Sequence, residues 1–342
     1  MNFPKISVVI PSYNQGQFLE ETILSIVNQQ YPNLEILVVD GGSKDNSVDI
    51  IKKYEQHITW WVSEKDKGQS DAINKGFARV TGDIATWLCS DDLYTEGTLK
   101  RVAEVFSTLP DDIGVVYGSA ILFGEGFPTR EGHGYDNPGV ERYIAGQAFP
   151  QPSSFFKTKY LKQAGPWVRE DLHLGMDYDL FARLGSVCNF HPIEGFLSRY
   201  RLHDASKTVS QHSKLIEDWT RTFSNLCRNF GWIDILEKLQ AIPQLAPFTN
   251  YHYPFKPNPD IINKANKELA LFYHLCYWLK SRYQYNKRDE ARAILAVLKK
   301  NYPADWLANE KFISKITRRL MIPDPVLDVL VILKKKYKKI MS

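Results

Sequence analysis

The sequence predicts an α/β fold, with a mainly parallel sheet flanked by helices and a helical region after it. Two observations carry this. From Lys5 to about Ala120, short apolar runs rich in Val, Ile and Trp alternate with segments of helical spacing. From about Gln211 onward the pattern is helical throughout.

The strands are expected at "ISVVI", "LEILVVD", "ITWWVSE", "DIATWLCS" and "IGVVYGSA", whose unbroken apolar character suits strands buried on both faces. Between them, Phe18, Leu19, Ile23, Ile26 and Val27 fall on one helical face, as do Val48, Ile51 and Tyr54, then Ala72, Ile73, Gly76, Phe77 and Val80. Strand, helix and strand in repetition give a parallel sheet covered by helices. Residues 121–150, with six glycines and three prolines, read as a long irregular loop or hairpin region. "GMDYDLFARLGSV" is helical from Asp177, and "FLSRYRLHDASKTVS" returns to strand and turn. The expected division is a domain over 1–210, with halves of about 1–120 and 121–210, and a helical extension over 211–342. Within the extension, 263–303 reads as a helix pair.

Composition narrows the function classes. Hydrophobic residues at 44% and charged residues at 24% describe a globular chain, and a net charge of +4 is too small to argue for nucleic acid. Cys89, Cys188, Cys227 and Cys276 lie far apart and read as reduced, buried thiols. No secretory leader and no stretch of ~20 apolar residues is visible, so a cytosolic location is expected. The end, "PDPVLDVLVILKKKYKKIMS", sets an apolar helical face beside Lys334, Lys335, Lys336, Lys338 and Lys339. It suits either an anionic membrane surface or a docked helix with a solvated basic end.

Ligands of open α/β sheets bind beyond the carboxyl ends of the strands. The segments there are "PSYNQG", "DGGSKDNS", "EKDKGQSD" and "SDDLY", all polar, acidic or glycine-bearing. A dinucleotide fold needs G-x-G-x-x-G after the first strand, and "PSYNQGQ" has one glycine, so that class is excluded. The adjacent Asp91 and Asp92 repel one another unless a cation lies between them, or one of them caps the helix that follows.

The blocks "VVIPSYNQGQFLEETILSIVNQQYPNLEILVVDGGSKDNS", "DKGQSDAINKG", "LCSDD" and "MDYDLFARL", in this order and spacing, resemble the signatures of the family 2 glycosyltransferases of the GT-A fold, over roughly residues 5–205. The resemblance implies an inverting glycosyltransferase that takes a nucleotide-diphosphate sugar, most plausibly a UDP-sugar, and an acceptor hydroxyl of a glycan or lipid-linked glycan. It implies a nucleoside pocket from Pro11, Ser12, Tyr13 and Asp40, with Asp71 beside it; the alternative for Asp40 is that it only starts the "DGGS" turn. "SDD" is similar to the family's D-x-D metal motif with Ser90 in its first place, which leaves Asp92 as direct ligand of Mn²⁺ or Mg²⁺ and Asp91 on the ribose or a metal-bound water. His203 falls where relatives carry a histidine that reaches the metal or the leaving diphosphate. Asp177 matches the family's general base, while Asp179 faces elsewhere, so its replacement is expected to be much the milder. Two rivals are a sugar nucleotidyltransferase, which would want a basic phosphate loop that "PSYNQGQ" lacks, and an inactive scaffold.

Overall fold

The computed structural model describes residues 3–134, 136, 138–204, 206, 212–327 and 329. Its first half is the alternating unit anticipated above: β1 (Ile6–Ser12), α1 (Gly16–Val27), β2 (Leu34–Asp40), α2 (Ser47–Lys53), β3 (Trp60–Ser63), α3 (Gln69–Phe77) and β4 (Ile84–Trp87). Then come β5 (Leu93–Tyr94), α4 (Thr98–Thr108), β6 (Ile113–Gly124), β7 (Phe127–Gly132), α5 (Val140–Ala145), β8 (Ser154–Lys157), α6 (Thr158–Gln163), α7 (Met176–Gly185) and β9 (Asn189–Arg201).

One sheet runs in the order β3-β2-β1-β4-β8-β6-β9-β5, with β7 added on β6. β3, β2, β1 and β4 are parallel, and β6 and β9 are parallel to one another. β8 and β5 run against their neighbours. Every residue of β1 and β4 is buried, because helices cover both faces of the sheet. α1, α2 and α4 close one face through Leu19, Ile23, Ile51, Leu99 and Val102, and α3 and α7 close the other through Ile73, Phe77, Leu180 and Phe181.

The register explains the active edge. Ser12 pairs with Asp40 and Asp40 with Ser63, so β1, β2 and β3 end side by side, while β4 ends at Trp87 opposite Val9, so that the loop of the acidic pair starts further back along β1. Of the loop or hairpin expected over 121–150, the hairpin is found: β6 and β7 turn at Gly126, whose φ of 75° suits glycine, and α5 follows. β5 and β8 have no clear signal in sequence, since each is short and stands only by pairing with a distant strand.

The helical region comprises α8 (His212–Asn229), α9 (Ile233–Gln240), the turn-like α10 (Pro259–Ile262), α11 (Lys267–Gln284), α12 (Arg288–Asn301), α13 (Ala304–Asn309) and α14 (Lys311–Leu320). The expected helix pair is α11 and α12. These helices share one core with α5 and α7: Ile144, Tyr178 and Ala182 pack among Trp219, Phe223, Leu275 and Trp278. Polar contacts tighten the joint, since buried His274 meets the Ala145 carbonyl at 2.9 Å and Thr220 Oγ1 at 3.1 Å. No helix among the described residues is long and apolar enough to cross a membrane. Most of the basic tail, residues 330–342, lies outside the described residues, as does the proposed boundary at 207–211.

Candidate active site

The loops after β1 and β2 hold each other. Asn14 N–H donates to Ser43 Oγ at 2.7 Å, Lys44 N–H to Asn14 Oδ1 at 2.8 Å, and Gly16 N–H to Asp45 Oδ2 at 2.8 Å. Pro11 and Ser12 are buried at the end of β1, and the Ser12 hydroxyl has no partner among the described residues. Tyr13 next to them is 58% exposed, so its ring is available as a flat apolar surface.

Asp40 is fully buried, and its carboxylate accepts from Gly42 N–H, Ser43 N–H, Ser43 Oγ and Ser63 Oγ. Three of these contacts hold the turn after β2, the alternative raised for it, and the fourth ties Asp40 to the end of β3. Asp66, to which no role fell in sequence, lies over Gly41: a Cβ at that glycine would meet Asp66 Oδ2 at 2.5 Å. Asp71, in the first turn of α3, accepts from Lys67 N–H at 3.1 Å and faces Lys75 at 3.4 Å.

The acidic pair follows β4. Asp92 is wholly buried; its Oδ1 accepts from Arg201 N–H at 2.9 Å, while Oδ2 has no partner among the described residues. Burial, and then the neighbouring charge of Asp91, push its carboxyl well above the usual carboxylate range. Neither aspartate caps a helix, because Leu93–Tyr94 is strand and α4 starts at Thr98 behind Gly97. Thr22 of α1 fixes the turn by donating to the Ser90 and Asp92 carbonyls, both at 2.9 Å.

His203, 112 residues away in sequence, meets Asp91: its Nε2 lies 3.0 Å from Asp91 Oδ2, with the Phe18 ring 5.0 Å from its own. Arg201 was missed in sequence. It holds the pair from behind, donating through Nε to the Asp91 carbonyl at 2.9 Å and pairing with Glu21. Only its position two residues before His203 could have signalled it. A carboxylate oxygen of Asp91, one of Asp92 and Cys89 Sγ lie within 4.8 Å of one another, and a buried oxygen without a donor is what a cation would satisfy, so the residues present fit a divalent metal. Cys89 departs from the expectation of four buried thiols: it is partly exposed at this edge, whereas Cys188, Cys227 and Cys276 are buried.

Asp177 stands in the first turn of α7, accepting at Oδ2 from Gln147 Nε2 at 2.9 Å and at Oδ1 from Tyr178 N–H at 2.8 Å. Its neighbour Met176 meets Ser70 of α3 at 2.8 Å, which brings the head of α7 to the head of α3 and so to the sheet edge. Asp179 does face elsewhere. It is 1% exposed and bound to the fully buried Arg183, whose guanidinium also donates to the Ala164, Pro166 and Trp167 carbonyls. The expectation that replacing Asp179 is mild is therefore corrected: it balances a buried cation. Clefts of about 400 Å³ beside Tyr143 and His191 and about 630 Å³ beside Phe106 and Lys157 lie away from these residues.

Comparisons with known proteins bear on the family and the fold. Residues 7–163 match the model of glycosyl transferase family 2. An uncharacterized glycosyltransferase of Nostoc sp. is 37% identical over 225 residues, 62% of this chain and 69% of that protein. One of Rickettsia conorii is 26% identical over 77% of this chain and 45% of its own length; the chain thus spans about half of that longer relative. In fold, the chain is similar to S. aureus TarS in complex with UDP-GlcNAc (TM-score 0.53, 19% identity, 81% of each chain). It is also similar to the mannosyltransferase PcManGT of Pyrobaculum calidifontis with GDP-Man and Mn²⁺ (TM-score 0.51, 16% identity, 92% of this chain and 81% of that one). With 37% identity to the Nostoc protein over 225 residues, 69% of that protein, and a family model matched over residues 7–163, the chain belongs to glycosyl transferase family 2.

Proposed function

We propose that the protein transfers a sugar from a nucleotide-diphosphate sugar, a UDP-sugar first of all, to an acceptor hydroxyl, with inversion. The observation that carries this is the acidic pair after β4 with one buried oxygen lacking a donor; a third carboxylate, Asp177, stands at the head of α7, which meets α3 through Met176 and Ser70. The nucleoside lies on the turn that Asp40 holds, against Tyr13 and the Pro11–Ser12 backbone, with Asp66 and Asp71 lining the neighbouring loop. Asp92, Asp91 and the residues around them would hold Mn²⁺ or Mg²⁺, which when bound supplies positive charge against the leaving diphosphate. His203 orients the Asp91 carboxylate, and Arg201 holds the Asp92 carboxylate through its N–H and the Asp91 backbone through its guanidinium. Asp177 accepts the proton of the attacking hydroxyl, and Gln147 fixes the direction of its carboxylate. Inversion follows from displacement in one step. The UDP choice is supported by the similar fold of TarS, which binds UDP-GlcNAc, although PcManGT binds GDP-Man.

The acceptor is a glycan or lipid-linked hydroxyl, met at the inner face of a membrane. Favouring this, Met321, Val326 and Val329 are 72%, 51% and 55% exposed at the end of the described chain, beside exposed Lys311, Lys315 and Arg318.

The test is a thermal-shift series of UDP, GDP and their sugars with Mn²⁺, followed by donor turnover with and without chelator. UDP and a UDP-sugar should raise the melting point, because only ligands that bind the native state do so. Asp92→Asn should lose turnover while keeping its fold. Full activity in excess EDTA would refute the metal, and no shift with any nucleotide would refute the donor class.

A further inference from the structure

The thiol of Cys89 sits at the centre of the site, yet nothing in the proposed reaction uses it. Its place is fixed from two sides: Gln69 Nε2 of α3 donates to Sγ at 3.2 Å, and Sγ faces Gln151 Oε1 at 3.9 Å. Gln151 is itself tied to the Trp87 carbonyl at the end of β4 by a 2.9 Å hydrogen bond. The sulfur is thus presented by three elements at once, partly exposed, on the side of the turn that carries the acidic pair.

A second observation points to a ligand there. Asp92 is wholly buried, its Oδ2 has no partner among the described residues, and carboxylate oxygens of Asp91 and Asp92 lie within 4.8 Å of Cys89 Sγ and of each other. Around a single ion, a sulfur at about 2.3 Å and oxygens at about 2.0–2.2 Å stand about 3.5–3.9 Å apart at tetrahedral to trigonal angles, so three atoms within 4.8 Å of one another reach a common ion by closing in by at most about an ångström. His203 Nε2 meets Asp91 Oδ2 and the Arg201 N–H donates to Asp92 Oδ1, which leaves the buried Asp92 Oδ2 to the ion.

We propose that Cys89 adds a sulfur ligand to the Asp91–Asp92 cation site, so that it takes thiophilic divalent cations, Zn²⁺, Cd²⁺ or Co²⁺, and not only the hard cations that two carboxylates would select. Soft thiolate changes the preference of a site in this direction. Binding releases the thiol proton to solvent, because the thiolate is the ligand. The inference rests on the metal reading above and adds the identity of one donor atom.

The test is titration of the full-length protein with Co²⁺ alone, followed by near-ultraviolet absorption and calorimetry. Wild type should develop a sulfur-to-cobalt charge-transfer band that Cys89→Ser loses, and Gln69→Leu should weaken it. The other three cysteines are buried and should not contribute. Calorimetric binding without the band, or a band that survives in Cys89→Ser, would overturn the sulfur ligand, as would the absence of Co²⁺ binding. The metal reading is judged separately: if donor turnover remains chelator-sensitive, only the sulfur proposal has failed, and if turnover ignores EDTA both have.

Discussion

Asp177 and Asp179 are two residues apart on α7, and their replacements by Asn should fail in opposite ways. Asp179 lies 2.9 Å from Nε and 2.8 Å from Nη2 of Arg183, a side chain with no exposure. Asp179→Asn removes the only carboxylate on that guanidinium among the described residues and leaves three carbonyls to solvate a buried positive charge. Breaking one side of a buried pair costs about 3–5 kcal/mol, a large part of the ~5–15 kcal/mol that holds a domain together. The melting point should fall by on the order of ten degrees. Asp177 is half-buried, and an Asn there can still accept from Gln147, so Asp177→Asn should melt within a few degrees of wild type. Its turnover should drop ~10²–10⁴-fold, the usual contribution of a general base, with donor affinity kept. The assay is a melting curve and a kcat and KM determination for each variant, the kinetics run well below the lower melting point. If Asp177→Asn turns over like wild type, Asp177 is not the base. If Asp179→Asn melts like wild type, the burial argument is wrong.

Two further outcomes are expected. His274 is held neutral, burial lowering its pKa from 6.5 to about 4. The unfolded chain therefore binds a proton that the folded one refuses, so this contribution is complete above pH 6.5 and lost as pH falls towards 4. About 3 kcal/mol is involved, from 1.36 kcal/mol per pKa unit; denaturant titrations at pH 7.5 and 4.5 should show a loss that His274→Gln reduces, and an equal loss in both proteins would reject the assignment. For the membrane, the protein should co-sediment with anionic vesicles in a salt-sensitive manner and lose this on deletion of 328–342, with each lysine near the surface adding about 1 kcal/mol; unchanged binding after deletion would place any contact elsewhere.

The sequence by itself determined the sheet and its reactive edge. Alternation of apolar runs with helical faces is a local signal, and β1 to β4 with α1 to α3 stand where it put them. Strand ends must converge in a parallel sheet, so Ser12, Asp40, Asp91 and Asp92 could be gathered on one edge before any coordinates. Asp177 and His203 came from the resemblance, since nothing local distinguishes an aspartate that accepts a proton from one that balances a buried arginine. Only the tertiary structure decided that Asp179 is that second kind, that Arg201 and Gln147 hold the acidic groups, that Asp40 faces inward, and that Cys89 lies beside Asp91 and Asp92. It likewise joined the helical region to α5 and α7 through His274, Trp219 and Tyr178. Each of these facts is a contact between side chains far apart in the chain. Periodicity records which face of an element is buried, but not which distant residue meets it there.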